Sequence, residues 1–438
     1  MSPDPSALFA EHLSRLGRAY EAIFAAERLD AVLIHSGVPR PRSTFDDQWW
    51  PLRVVPHFAH WTPLAEADAV LVLRPAKRPL LVRLAETNFW EQAPPPPAQA
   101  LAGFEVVEVG SLDALRAALP AASPRVAFIG EDEPRAARLG HALTPAGPLL
   151  RAIDETRVHK SAYELACLDE ANRRTALGHA AVRDAFLSGA PASELELHLL
   201  YLARTAQDDP ETPYKNIVAI GEHAATLHHV SYGRAHGPGA TSLLLDAGVA
   251  YLGYASDVTR TYARGASAEV DAFRGLVAGV DRLQQKLCGE VALGLGYETL
   301  HDRAHVYVGE ALREAGLVRG SADEAVARGV TRAFLPHGLG HSLGVICHDV
   351  GCAEVRPRAD NPFLRNTRAI EVDQVFTIEP GIYFIAPLLA PLRADDRKAL
   401  VDWKLVDALA PLGGIRIEDD VHVRVGGAAN LTRAHLPT

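Results

Sequence analysis

Three histidines fall within twelve residues of a glycine-rich stretch that reads PHGLGHSLGVICHD and runs from Pro336 to Asp349. They are His337, His341 and His348. Imidazole is the side chain that most often binds metal ions. The interleaved glycines let the backbone come close to whatever the imidazoles hold. The stretch therefore predicts a functional site.

Four carboxylates stand in distinctive contexts elsewhere in the chain, LDAG, SDVTRT, TIEPGIY and RIEDD, and they are Asp246, Asp257, Glu379 and Glu418. One imidazole with four carboxylates is a hard, oxygen-rich ligand set, which suits a pair of divalent ions. We expect Asp246 and Asp257 to face each other across a β-hairpin. Two carboxylates that close repel each other, and bound cations remove that penalty.

Amide hydrolysis without a covalent intermediate needs a nucleophile at neutral pH, a polarised carbonyl and a proton for the leaving amine. Two metal ions that share one hydroxide supply the first two. A carboxylate beside the metals suits the proton transfer. One imidazole with four carboxylates is therefore compatible with metal-assisted hydrolysis.

The order Asp, Asp, His, Glu, Glu in these contexts resembles that of the dinuclear metallopeptidases of the pita-bread fold, which include methionine aminopeptidase, aminopeptidase P and the prolidases. The resemblance implies a metal-bridging hydroxide as nucleophile and Glu379 as the acid/base. It implies two divalent ions per subunit, with Mn²⁺ favoured by the carboxylates and Co²⁺ or Zn²⁺ left open. The implied ligands are Asp246, Asp257, His341, Glu379 and Glu418.

Further site residues follow from the resemblance to bacterial prolidases. His228 and His348 match substrate-contacting histidines, and Tyr214, in PYKNIVAIG, matches a site tyrosine that would donate to an oxyanion. Arg416 lies two residues before Glu418, on the same strand face, and would either order the ligands or bind a carboxylate end. No role is assigned to His229, and His337 is expected to be structural or to support a ligand.

The resemblance to bacterial prolidases implies an Xaa-Pro dipeptidase (metallopeptidase) that acts on a small peptide substrate. An aminopeptidase P acting on longer Xaa-Pro peptides is the nearest alternative, and PYKNIVAIG with the Trp-rich segment favours prolidase. A catalytically inactive pita-bread binding module is a further alternative, which the complete ligand set opposes. The overlap of bacterial prolidases with organophosphorus acid anhydrolases implies a side activity on organophosphates.

The elements that position these residues divide into two domains. Residues 1–156 alternate helix and strand, with helices at 8–27 and 112–119 and strands at 29–34, 69–73, 79–83 and 125–129, which predicts a smaller α/β creatinase-like domain. Residues 157–438 predict an α+β pita-bread catalytic domain, an antiparallel sheet backed by helices. Ser161 and Glu164 form an expected capping box for a helix to about 188. Later helices are expected from Ser193, with Leu195, Leu199 and Leu202 on its apolar face, and over 269–287 and 297–315.

Composition bounds the partners. The net charge of −10 argues against a nucleic-acid binder, and no window offers the roughly 18 apolar residues of a membrane span. The cysteines Cys167, Cys288, Cys347 and Cys352 show no CxxC spacing and indicate reduced thiols in a cytoplasmic protein. Cys347 and Cys352 flank His348, where a metal role is conceivable but a buried structural thiol is favoured. The segment with Trp49, Trp50 and Trp61 looks like a surface meant to be covered, and the resemblance to prolidases, which pair through such regions, implies a homodimer. The same resemblance implies that Asp46 or Asp47 faces the partner's substrate, and a solvated acidic pair is the alternative.

Overall fold

A five-stranded mixed sheet organises the N-terminal unit of this computed structural model, which describes residues 5–85, 90, 95–190, 192–235, 239–351 and 355–437. The chain divides into two units, Met1–Cys167 and Leu168–Thr438. The elements of the first unit are α1 (Pro5–Glu27), β1 (Ala31–His35), α2 (Pro56–Ala59), β2 (Val70–Leu73), β3 (Leu80–Leu84), α3 (Ala98–Leu101), β4 (Glu105–Val109), α4 (Leu112–Ala118), β5 (Val126–Ile129), α5 (Glu133–Arg138), α6 (Pro148–Glu155) and the start of α7 (Ala162–Leu187).

The strand order of this sheet is β4-β3-β2-β1-β5, with β1 parallel to β5 and antiparallel to β2. Every residue of β1 and β2 is buried, which explains why both read as continuous apolar runs. Edge strand β4 is largely exposed and carries two glutamates, so neither a buried run nor a period of two marked it in the sequence.

The tryptophan segment divides in two. Trp49 and Trp50 are each 55% exposed and neighbouring Phe45 is 98% exposed. Trp61 is 1% exposed and packs against Tyr20 with ring centroids 5.1 Å apart. The expectation that Trp61 belongs to a surface patch was therefore wrong, because this ring fills the core under α1.

Three small antiparallel sheets and several long helices form the second unit. Their strand orders are β10-β7-β6, β11-β14-β15 and β12-β13, and β8 and β9 form a separate two-stranded ribbon. The elements after α7 are α8 (Glu194–Thr205), β6 (Ile217–Ile220), β7 (Ser242–Asp246), β8 (Ala250–Tyr251), β9 (Tyr254–Ala255), β10 (Thr259–Ala263), α9 (Ala268–Gly289), α10 (Tyr297–Glu314), α11 (Ala322–Ala327), α12 (Val330–Phe334), β11 (Val375–Ile378), β12 (Gly381–Tyr383), α13 (Ala386–Ala394), α14 (Trp403–Leu409), β13 (Gly414–Arg416), β14 (Asp419–Arg424) and β15 (Gly427–Asn430).

Helix packing holds the strands that carry the site. Leu243 and Leu245 of β7 share a buried cluster with residues of α7, α8 and β6. Phe376 and Ile378 of β11 share a large buried cluster with residues of α9 and α10. Asp246 ends β7 and Glu379 follows β11, so both carboxylates are anchored by buried strands.

Helix starts follow the predicted caps. The Ser161 amide donates to Glu164 Oε2 at 2.7 Å and the Glu164 amide donates to Ser161 Oγ at 3.3 Å, which confirms the capping box. The predicted apolar face of α8 was wrong at Leu199, which is 54% exposed. Helix α8 buries Leu197 and Tyr201 instead. None of the helices in the described part of the chain combines the length and apolar character that crossing a bilayer demands.

Candidate metal centre and substrate cavity

One cavity of about 770 Å³ in the second unit brings all the predicted site residues together. It lies where the ends of β7, β11 and β13 meet the loop that follows α12. The predicted residues that line it are Tyr214, His228, Asp246, Asp257, His341, His348, Glu379, Arg416 and Glu418.

The two aspartates approach each other with a different register from the one expected. Asp246 lies opposite Thr259 in the antiparallel pair of β7 and β10, and Asp257 comes two residues before Thr259. The two carboxylates therefore occupy diagonal positions rather than directly opposed ones. A period of two still gives both positions the same face.

His341 comes from the loop between α12 and β11, which runs against β11. The His341 amide donates to Thr377 Oγ1 at 3.1 Å, and the Thr377 amide donates to the His341 carbonyl at 2.9 Å. A Cβ at Gly340 would collide with the Thr377 carbonyl and the Tyr297 hydroxyl. Glycine is therefore required for this close approach.

Asp257, His341 and Glu418 place one ligand atom each within 4.8 Å of one another, and all three side chains are buried. His341 Nε2 lies 3.2 Å from Asp257 Oδ2 and 3.8 Å from Glu379 Oε1. His341 Nδ1 donates to the Ser342 carbonyl at 3.1 Å, which leaves the lone pair of Nε2 available to a metal ion.

The buried carboxylates of this cluster lie close enough to repel one another, so bound cations would stabilise them. Asp246 Oδ1 is buried and has no hydrogen-bond partner among the described residues. Burial, with repulsion from Asp257, raises the pKa of Asp246 to about 6. The pKa of Glu418 is raised well above its usual range, mainly by burial and further by repulsion from Asp257 and Glu379. Divalent ions offset both effects, so the residues fit a metal centre.

Arg416 is committed to this cluster. Its guanidinium bonds to Asp246 Oδ2, donates through Nη1 to the Tyr383 hydroxyl at 2.9 Å and donates through Nε to Thr259 Oγ1 at 3.1 Å. The Thr259 hydroxyl in turn donates to Glu418 Oε2 at 2.6 Å. Of the two roles expected for Arg416, these contacts favour ordering the ligands. Thr259 belongs to the SDVTRT motif, yet sequence reasoning did not single it out.

The remaining predicted residues surround the cluster. The His348 ring meets the His341 ring edge-on with centroids 4.4 Å apart, and His228 is exposed. The buried Tyr214 hydroxyl lies beside the carboxylates of Asp246 and Asp257 and stabilises their ionised forms. His337 Nε2 lies 2.9 Å from the Tyr383 hydroxyl and its Nδ1 lies 3.7 Å from Glu379, positions that suit support of a ligand.

Sequence reasoning missed three residues of the cavity wall. Cys347 was expected to be a structural thiol, but its Sγ lies 2.9 Å from Asp257 Oδ2 inside the cavity. Arg365 is exposed in the cavity and makes no hydrogen bond or ion pair with a described residue. Lys215 also lines the cavity but pairs with Asp209 at 2.6 Å. Nothing in the local sequence marks Arg365; Cys352, the other cysteine beside His348, lies outside the described residues.

Comparisons with known proteins agree with this arrangement. Residues 166–424 match the model of metallopeptidase family M24, and residues 7–151 match the model of the Xaa-Pro dipeptidase N-terminal domain. An Xaa-Pro dipeptidase of Marinobacter nauticus is 41% identical over 96% of this chain and 96% of its own length. Xaa-Pro dipeptidase 1 of Idiomarina loihiensis is 38% identical over 97% of this chain and 95% of its own length.

Solved structures share the fold. Proline aminopeptidase P II from Yersinia pestis superposes with a TM-score of 0.73 at 23% identity and covers 96% of both chains. Zinc-substituted aminopeptidase P of E. coli, solved with product, gives a TM-score of 0.73 at 24% identity over 96% of this chain and 95% of its own. At this identity the likeness concerns the fold alone.

Proposed function

Because the chain belongs to metallopeptidase family M24, we propose that it is an Xaa-Pro dipeptidase that uses divalent metal ions. The observation that carries the proposal is that one cavity holds both a convergent Asp/His/Glu ligand set and an arginine, Arg365, that has no partner among the described residues. Several relatives at 38–41% identity, similar over nearly their full length, are Xaa-Pro dipeptidases.

Asp246, Asp257, His341, Glu379 and Glu418 would hold two divalent ions. Bound there, the ions would activate water and polarise the scissile carbonyl. Four carboxylates among five ligands favour Mn²⁺, while Co²⁺ and Zn²⁺ suit the same donors. Thr259 and Arg416 support the set, because they bond to the carboxylates of Glu418 and Asp246 and fix their orientation.

Other side chains of the cavity would transfer the proton and contact the substrate. Glu379 reaches the cavity with a side chain that is 17% exposed, so it is placed to take a proton from water and pass it to the leaving nitrogen. The Tyr214 hydroxyl, which is buried beside Asp246 and Asp257, would donate to the carbonyl oxygen as negative charge develops. His228 and His348 lie on the wall and would contact the bound dipeptide.

Recognition of the free carboxylate separates a dipeptidase from an aminopeptidase. Arg416 is already engaged with Asp246, whereas Arg365 has no partner among the described residues. Arg365 would therefore pair with the C-terminal carboxylate of Xaa-Pro. A peptide that continues beyond proline lacks this carboxylate and leaves the arginine unpaired.

The test is hydrolysis of Ala-Pro, Gly-Pro and Ala-Pro-Ala by purified protein with and without added Mn²⁺. We expect metal-dependent cleavage with preference for the dipeptides. Equal cleavage of Ala-Pro-Ala would replace the proposal with aminopeptidase P activity. Protein that neither binds metal nor cleaves any of the three peptides would instead be an inactive binding module.

Three further features belong to the proposal. Exposed Phe45, Trp49 and Trp50 support a homodimer that covers this patch. Asp46 and Asp47, which lie in the same exposed segment, would be placed near such an interface. The described cysteines form no disulfide, which supports a cytoplasmic location. The side activity on organophosphates stays a prediction.

A further inference from the structure

Outside the cavity, three side chains converge at the start of α8. Glu194, His223 and His229 each place one ligand atom within 4.8 Å of the others. His223 Nδ1 lies 2.7 Å from Glu194 Oε1, and His229 Nε2 lies 2.8 Å from Glu194 Oε2. The two imidazole rings stack with centroids 4.4 Å apart and planes inclined by 26°. Both rings thus present a nitrogen to one carboxylate.

The carboxylate is held as an anion in a preformed position. Glu194 is 3% exposed and also accepts the Ile220 amide at 2.9 Å and the Gly233 amide at 2.6 Å. Burial opposes its ionisation, but the hydrogen bonds from Gly233 and His229 outweigh burial and keep its pKa below the usual range. A buried anion with a fixed orientation is an effective metal ligand because little conformational entropy is lost when an ion binds.

Solvent reaches this cluster from one side. The His223 side chain is 47% exposed and the His229 side chain is 12% exposed, so an ion has an access path to the ligand atoms. Two imidazoles and one carboxylate form a borderline ligand set that suits Zn²⁺ and leaves a fourth position for water. The same two ring nitrogens hydrogen-bond to Glu194. A bound cation would take the place of those two protons, and each neutral imidazole would then carry its proton on its other ring nitrogen.

We propose that Glu194, His223 and His229 form a separate divalent-cation site with a preference for Zn²⁺-like ions. None of the three residues lines the substrate cavity, whereas Leu227, His228 and Val230 of the same segment do. An ion at this site would tie the segment from Ile220 to Gly233 to the first turn of α8. The ion would thereby fix the place of His228 in the cavity wall.

The experiment counts metal ions and does not depend on peptide hydrolysis, so it is separate from the test of the proposed function. Mn²⁺-loaded protein is dialysed to equilibrium against buffered micromolar Zn²⁺, and total metal per chain is measured by elemental analysis. The variants are His223→Ala and His229→Gln, where glutamine keeps a donor to Glu194 but is a poor ligand. His435→Ala is the matched control, because His435 pairs with Asp169 outside this cluster.

We expect the wild type and His435→Ala to bind one metal ion more per chain than either cluster variant. The zinc affinity of that extra site should fall roughly tenfold or more in each variant, the least that loss of a supporting group costs a metal site. Equal totals in all four proteins would overturn the proposal. Circular dichroism checks the fold, and if His223→Ala unfolds, the comparison of His229→Gln with the wild type decides alone.

Discussion

Replacement of Arg365 by alanine should relax the preference for dipeptides. Arg365 lines the cavity without a partner among the described residues, while Arg416 is bound to Asp246, Tyr383 and Thr259. A carboxylate held by Arg365 would form the charge-assisted pair that an amide or a longer peptide does not form. The discrimination between these substrates should therefore depend on Arg365.

The expected size follows from exposure. A hydrogen bond to a charged group contributes about 1.5–3 kcal/mol, and each ~1.4 kcal/mol is a factor of ten, so the range is about tenfold to a hundredfold. A buried cation such as Arg416 would give the upper end or more. Arg365 is exposed, and solvent screening places the expected effect near the lower end, about tenfold.

The assay compares kcat/KM for Ala-Pro with that for Ala-Pro amide in the wild type, Arg365→Ala and Arg365→Lys. The ratio should fall about tenfold in the alanine variant, mostly through KM for the dipeptide, and the lysine variant should lie between. Arg358→Ala is the matched control, since exposed Arg358 pairs with Asp302 and does not line the cavity. An unchanged ratio in Arg365→Ala, with metal content equal to that of the wild type, would refute the assignment.

Four other outcomes follow from the structure. His341→Ala should lower bound metal and activity together; metal content equal to that of the wild type would contradict its role as a ligand. Glu379→Gln should keep metal and fold but lose most turnover, about a hundredfold or more, since an amide can ligate but cannot carry a proton; full turnover with metal bound would exclude the acid/base role. Burial lowers the pKa of His12 to about 4, so the unfolded chain binds this proton first as pH falls below about 6.5. Urea titrations should therefore show that the free energy of unfolding falls by about 2 kcal/mol between neutral pH and pH 5 because of His12. This fall should be smaller in His12→Gln, and an identical pH dependence in the variant would contradict the reasoning. Light scattering should give a dimer for the wild type and a weaker one after replacement of Trp49 and Trp50 by serine, whereas a monomeric wild type at micromolar concentration would rule out the dimer.

Local sequence carried much of the architecture. Apolar runs predicted β1 and β2, and the Ser161 and Glu164 pair predicted the start of α7, because these signals depend on neighbours in the chain. Edge strand β4 was not predicted, because its residues are largely exposed and form no buried face. Leu199 was misjudged for a related reason, since helical spacing tells which residues share a face but not whether another element covers that face.

The sequence by itself determined which residues are candidates for the metal centre, because the identities and order of Asp246, Asp257, His341, Glu379 and Glu418 carry the chemistry of the site. Only the tertiary structure decided how the candidates relate. It placed Asp257 diagonal to Asp246, and it buried Trp61 in the core. It also bound Arg416 to Asp246, whereas Arg365 has no partner among the described residues. It also brought Glu194, His223 and His229 together from separate segments. Side-chain partners across such distances in the chain depend on strand register and packing, which no local pattern of residues records.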